Sequence, residues 1–267
     1  PRDRFAPLED AQVQAVADAF RGHLVVIGAG IAGVAAVEAF RRTNPHGTVT
    51  LLSRETDAPY YRLNLTRYLA GELTAADLPM HDAAWYSGQN IDLRLGVDAN
   101  EITVSERSVQ LTDGSTLRFD KLLLAAGAHP FIPPLPGAEY AGVFSLRTLQ
   151  DAEQIKAMVQ PGMRCVCIGG GLLGLETAGA LAAQRLHVTL LEGHDWLMPR
   201  QLCRRAGQVL EQHVGRVGVT IQRHARTQEI VGTERVTGVV LEDGTKLPAD
   251  VIIVATGVRP NSHLARR

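Results

Sequence analysis

Two glycine runs carry the spacing from which chemistry can be read. Gly28-Ala29-Gly30-Ile31-Ala32-Gly33 and Gly169-Gly170-Gly171-Leu172-Leu173-Gly174 both spell GxGxxG. Each follows a short apolar run, His23-Leu24-Val25-Val26-Ile27 or Arg164-Cys165-Val166-Cys167-Ile168, and each opens an alanine-rich stretch of helical spacing. In that setting the first glycine makes the tight turn and the second lets the backbone approach a pyrophosphate. The third lets helix and strand pack closely. The helix N-terminus, with its unpaired N–H groups, then faces negative charge. A lone motif says little, but two in the required context predict two dinucleotide sites.

The ribose positions differ between the copies. A carboxylate at the end of the next strand accepts hydrogen bonds from a ribose diol and repels a 2′-phosphate. Glu192 holds that place in the second copy, and no arginine pair follows it in His194-Asp195-Trp196, which favours NADH over NADPH. In the first copy the place belongs to Ser53, followed by Arg54 and Glu55. Glu55 could reach the ribose from two residues on, with Ser53 and Arg54 nearby. One site is therefore expected to hold NAD and the other a different dinucleotide, with FAD the obvious candidate.

The elements that must position these turns are themselves repeated. After each glycine turn and helix comes a second strand, Val49-Thr50-Leu51-Leu52-Ser53 or Val188-Thr189-Leu190-Leu191-Glu192. Each half then has a hairpin signal, Val109 to Gly114 and Val239 to Gly244. Last come Leu122-Leu123-Leu124-Ala125-Ala126-Gly127 and Ile252-Ile253-Val254-Ala255-Thr256-Gly257, buried-looking strands opening into glycine turns. Matching signals in the same order indicate an internal duplication. The expected fold is α/β, with two Rossmann-like domains of parallel sheet and β-meander insertions. The expected boundaries are a lead-in helix over 1–20, a first dinucleotide domain over 21–135, a second over 136–255 and a segment over 256–267 returning to the first. Pro-rich Phe131 to Gly137 is the best linker signal. A stretch from about Glu55 to Gln89 lacks a counterpart in the second half. It holds Tyr60, Tyr61, Trp85 and Tyr86 in a chain with only 5% aromatics, and is a natural place for ligand contacts.

Composition narrows the class. With 267 residues the chain is long enough for about two domains. A net charge of −1 argues against a bulk electrostatic grip on nucleic acid or an anionic membrane. No apolar run reaches the ~18–20 residues that cross a bilayer, and no signal peptide is visible. Three cysteines make no disulfide framework, and the nine histidines show no zinc-ligand spacing, so no metal is expected. A cytoplasmic protein is expected.

The duplicated turns, with Ala125-Ala126-Gly127 and Ala255-Thr256-Gly257, resemble the FAD/NAD pyridine-nucleotide oxidoreductases. Asp57 to Arg62, Gly169 to Glu176, Met198 to Leu202 and Gly257 to Asn261 resemble one branch especially. That branch contains rubredoxin reductases and the flavin portion of NADH-dependent nitrite reductases. The resemblance runs from about His23 to the C-terminus. It implies FAD on Gly28, Gly30 and Gly33 with Ala32 between them, and Glu55 at the ribose. Arg62 and Arg67 would stand near the phosphates or flavin, Ala99 at the adenine, and Ala126 with Gly127 would line the same site. It implies NADH on Gly169, Gly171, Leu173, Gly174 and Glu192, with Gly257 near the nicotinamide end. Glu176, in the first turn of the second helix, matches a family glutamate near both rings. Arg67 stands where the branch often has a lysine paired with that glutamate, so an Arg67–Glu176 pair is expected.

The resemblance also implies a mechanism. Disulfide reductases of this superfamily carry an active-site cysteine pair on the helix after the FAD ribose strand. This chain has Leu63-Asn64-Leu65-Thr66-Arg67 there and no cysteine before Cys165. The expected activity is hydride transfer from NADH to FAD, then electron release to rubredoxin, ferredoxin or a nitrite-reducing centre. In the family a Gly-Asp segment and a C-terminal interface domain follow the position of Arg267. Arg2 to Leu8 resembles the tail of a rubredoxin module, so a fused electron-accepting domain upstream is a further expectation. The competing expectation is a non-catalytic dinucleotide-binding subunit or redox sensor.

Overall fold

The computed structural model describes residues 20–266. The rubredoxin-like tail, and the lead-in helix but for Phe20, lie outside the described residues. Contacts divide the described residues into two compact units, 20–61, Pro79–Gly127 and 260–266 in the first, Arg62–Leu78 and Ala128–Arg259 in the second.

In the first unit, β1 (His23–Ile27) is apolar after His23, as a strand covered on both faces must be. Leu24 and Val26 face α1 (Ile31–Thr43), packing with its Val34 and Val37. Val25 and Ile27 face the opposite way, onto Val109, Leu111 and Leu117. This is the two-residue alternation of a strand. With β2 (Thr48–Leu52), β3 (Ile91–Arg94) and β7 (Lys121–Leu124), the parallel sheet has the order β3-β2-β1-β7. Its second face is covered by an antiparallel meander of β4 (Ala99–Thr103), β5 (Ser108–Leu111) and β6 (Thr116–Arg118). Leu264, from the returning segment, is buried in that same core.

The second unit repeats the plan. Between the short strands β8 (Ala128–Pro130) and β9 (Val143–Phe144) and the second glycine turn run α2 (Leu149–Met158) and β10 (Arg164–Ile168). Then come α3 (Leu172–Ala183), β11 (His187–Glu192), α4 (Arg204–Arg216) and β12 (Val219–Arg223). A meander of β13 (Thr227–Gly232), β14 (Val236–Leu241) and β15 (Lys246–Pro248) leads to β16 (Val251–Val254) and β17 (Val258–Pro260). The parallel sheet has the order β12-β11-β10-β16-β9, and β8 pairs with β17.

The duplication extends to single hydrogen bonds. Ala125 N donates to Ile27 O, and Ala255 N to Ile168 O, both at 2.8 Å. Gly28 N donates to Leu52 O at 3.0 Å, and Gly169 N to Leu191 O at 2.9 Å. Asp120 accepts from His23 N at 2.7 Å, as Asp250 accepts from Arg164 N at 2.9 Å. Each central strand is thus anchored at both ends by its neighbours in the sheet.

The compact units run differently from the expected boundaries in three places, one of them residues 256–259, which stay with the second unit. Residues 62–78 group with the second unit although they follow β2 of the first. Their short helix Leu65–Leu69 buries Leu65, Tyr68 and Leu69. The Lys156 ammonium lies 3.8 Å from the centre of the Tyr68 ring, and Gln184 Nε2 donates to Ala70 O at 2.6 Å. The Pro-rich run is no free linker either. Leu135 and Ala138 pack on the second core, and Ile230 N donates to Pro136 O at 2.8 Å, so the division falls between Gly127 and Ala128. Proline stiffness marked the run, but its apolar residues made it part of a core. No helix among the described residues is long and apolar enough to cross a membrane.

Candidate functional site

The two glycine turns have the same geometry. Gly28 and Gly169 have φ of +106° and +114°, which L side chains rarely adopt. Gly33 and Gly174 lie so close to the preceding turn that a Cβ would stand 1.9 Å from Gly28 O or Gly169 O. The middle glycines are different, because a Cβ on Gly30 or Gly171 would meet nothing within 4 Å. The first and third glycines are therefore required by the protein itself. The middle one leaves open space at a helix N-terminus. Gly30 caps α1 and Gly171 caps α3 with no side-chain hydrogen bond, and neither first turn carries an acidic residue. The first N–H groups of both helices thus lack a side-chain cap, which fits a pyrophosphate. The first helical residues, Ile31 and Leu172, are large, apolar and 62% and 60% exposed. Ala32 and Leu173 follow them within the same turns.

The copies differ at the ends of β2 and β11. Glu192 is only 7% exposed. Its Oε1 accepts from His194 N at 2.9 Å, and its Oε2 lies 2.5 Å from the place of a Cβ on Gly170. The carboxylate is therefore held directly above the second glycine turn. Ser53 is buried at the matching position, and the Glu55 Oε2 beyond it accepts from the Tyr60 hydroxyl at 2.6 Å. Tyr60 thus fixes the first-unit acid, a contact between two residues of the aromatic-rich stretch.

Ala126 and Gly127 form the turn after β7. Its carbonyls are held by Asn261, whose Nδ2 donates to Ala126 O at 2.7 Å and whose N donates to Gly127 O at 2.9 Å. Sequence reasoning assigned Asn261 no role. The signal was its place in the returning segment, which comes back to the first unit. Ala99 is buried at the start of β4, and its N–H is taken by Asp98 Oδ1 at 2.9 Å. Gly257, with φ +123° and open space where a Cβ would stand, accepts from Phe131 N at 2.9 Å.

The expected Arg67–Glu176 pair is not formed. Arg67 Nε donates to Glu72 at 3.0 Å, with the two side chains 54% and 59% exposed. Glu176 instead accepts from the Thr66 hydroxyl at 3.3 Å. Glu176 also stands in the second turn of α3 rather than the first. Consecutive residues on the short helix Leu65–Leu69 point about 100° apart, and here it is Thr66 that is turned to Glu176 while Arg67 is turned to Glu72. Arg62 donates to the backbone of Arg147.

Cys165 and Cys167 are buried on β10 with sulfurs 3.8 Å apart. The hydrogen bond to Cys167 and burial push the Cys165 thiol well above its usual range, which disfavours the thiolate that thiol chemistry needs.

Paired glycine turns on two parallel sheets, each with its own meander, define a class of two-dinucleotide proteins. The chain belongs to the pyridine nucleotide-disulphide oxidoreductase family, whose profile matches residues 22–267. It is 36% identical over 244 residues to the ferredoxin–NAD(+) reductase component of the biphenyl dioxygenase system of Paraburkholderia xenovorans (strain LB400). That match covers 91% of this chain and 60% of the relative. It is 35% identical over 243 residues to the nitrite reductase [NAD(P)H] of Bacillus subtilis (strain 168), covering 90% of this chain and 30% of the relative. Among solved structures, the covalent putidaredoxin reductase–putidaredoxin complex superposes with a TM-score of 0.88 at 33% identity, over 92% of this chain and 60% of that one. The chain thus spans less than two thirds of the length of these relatives.

Proposed function

We propose that the protein is an NADH-dependent flavoprotein reductase, with FAD on the first unit, NADH on the second, and a redox protein or domain as electron acceptor. The observation that carries the reading is the pair of matched glycine turns with mismatched ribose acids. Equal turns suit two pyrophosphates, while Glu192 in one and Ser53 with Glu55 in the other suit two different nucleosides. FAD held on the first unit would supply the redox chemistry, as the hydride and electron carrier. The chain's own work is to bind and orient. The N–H groups at the starts of α1 and α3 meet the pyrophosphates, Glu192 accepts from the coenzyme ribose, and Asn261 fixes the Ala126–Gly127 turn. Arg62, Arg67, Ala99 and Gly257 complete the proposed contacts. Glu176, held by Thr66, is the proposed carboxylate beside the nicotinamide. No active-site thiol takes part, in keeping with the burial of Cys165 and Cys167.

The acceptor is proposed from the relatives' names, which include ferredoxin, rubredoxin and nitrite reductases. It is a small one-electron protein, or a rubredoxin-like module on the same polypeptide. Free Cys165, Cys167 and Cys203 go with a cytoplasmic setting. The test is an absorbance spectrum of the protein incubated with FAD, before and after anaerobic NADH. A retained flavin band that bleaches supports the reductase. A second reading, binding without turnover, draws on Glu176 having no cationic partner among the described residues, and a flavin that stays oxidised under NADH favours it.

A further inference from the structure

The sequence after Glu192 offers no arginine pair, yet the fold returns four basic residues to that loop. β12 runs beside β11 with Arg223 in register with Glu192. Ala225 N donates to Glu192 O at 3.0 Å, and His224 N donates to His194 O at 3.4 Å. Arg223, His224 and Arg226 are thereby carried to the ribose end of the second glycine turn, where the first residue of α4, Arg204, joins them.

Three of these side chains converge on Asp195. Its carboxylate pairs with Arg204 and lies 3.0 Å from His224 Nε2, and its carbonyl accepts from Arg223 Nη1 at 3.1 Å. Arg226 is different. Its Cγ lies 3.9 Å from the place of a Cβ on Gly193, the residue after Glu192. Its exposed guanidinium has no partner among the described residues.

Arginine is the side chain best suited to a phosphate, and a charge acts over about 10 Å at 0.1 M salt. The single carboxylate of Glu192 therefore does not stand alone against a 2′-phosphate. It stands in a basic surround that would attract one. We propose that Asp195 is a second specificity-determining residue, whose carboxylate engages Arg204 and His224 and so keeps the site selective for NADH over its 2′-phosphorylated counterpart. Arg226 supplies the residual attraction for phosphate. The inference rests on the reading of Glu192 as the ribose residue.

The test is titration of the purified protein with NADH and with NADPH, comparing wild type, Asp195→Asn and Arg226→Ala. Asp195→Asn keeps the shape and removes the carboxylate that holds Arg204 and His224, while Arg223 stays on the Asp195 carbonyl and on Glu211. The variant should tighten NADPH binding about tenfold, the effect of one new charge-assisted hydrogen bond to the phosphate, and leave NADH within about twofold. Arg226→Ala, at an exposed unpartnered side chain, should weaken NADPH several-fold and leave NADH unchanged. An NADH:NADPH ratio unmoved by both variants, or an equal loss of both coenzymes in Asp195→Asn, overturns the proposal while the NADH reading stands. Wild-type protein that binds neither coenzyme overturns both.

Discussion

Asn261 donates its side-chain amide to the carbonyl of Ala126 at 2.7 Å, although the two residues are 135 apart in sequence. With its own N–H on Gly127 O at 2.9 Å, it closes the turn at the end of β7. That turn is pressed against the first glycine motif, where a Cβ on Gly28 would come within 2.3 Å of Ala125 O. A residue of the returning segment thereby sets the wall of the proposed flavin site.

Asn261→Ala should accordingly raise the dissociation constant for FAD. Loss of one backbone-directed hydrogen bond, about 1 kcal/mol, corresponds to roughly fivefold. Flavin fluorescence quenching measures it. Unchanged FAD affinity in a variant with lowered thermal stability would assign Asn261 a structural role only.

Gly30→Ala and Gly33→Ala should separate binding from folding. Space is open at Gly30, so its variant should keep the wild-type melting temperature and lose flavin. At Gly33 a Cβ would collide with Gly28 O, and the backbone must shift, at a cost of about 2–3 kcal/mol. Thermal melts with and without FAD distinguish the two. Equal melting temperatures in both variants would contradict the geometry.

Arg67→Ala should change stability by under about 0.5 kcal/mol, as expected of an exposed ion pair with Glu72. Thr66→Val should cost about 1 kcal/mol or more, because Thr66 is buried with its hydroxyl on Glu176. Urea denaturation of both variants tests the pairing. The reverse order would restore the Arg67–Glu176 pair expected from sequence.

Asp250 adds a pH dependence. The hydrogen bond from the Arg164 side chain, helped by the Arg164 backbone N–H and charge, holds its carboxyl down at about 2. A folded-state pKa below the unfolded value of about 3.9 stabilises the fold above that value. The contribution is lost as pH falls from about 4 through 2. Both side chains are well exposed, which keeps it to about 1 kcal/mol or less. Asp250→Asn should thus lower the melting temperature at pH 7 and flatten its decline in that window. An undiminished decline would place the acid sensitivity elsewhere.

The order of residues alone dictates the duplication, the two parallel sheets with their meanders, and the jobs of Gly28, Gly33, Gly169 and Gly174. These depend on neighbours close along the chain, where an apolar run, a turn and a helix fix one another's geometry. Glu192 was legible for the same reason, since it ends the strand that follows the turn. The partners of side chains were settled only in the folded molecule. Residues 62–78 joined the second unit because Leu65, Tyr68 and Leu69 found their burial there, and Thr66 rather than Arg67 then reached Glu176. Asn261 came to Ala126, and Arg223 to the flank of Glu192, through strand pairing and chain return between segments distant in sequence. Periodicity reports which face of an element is buried. It does not report which distant residue that face will meet, because that choice is made by packing the whole core at once.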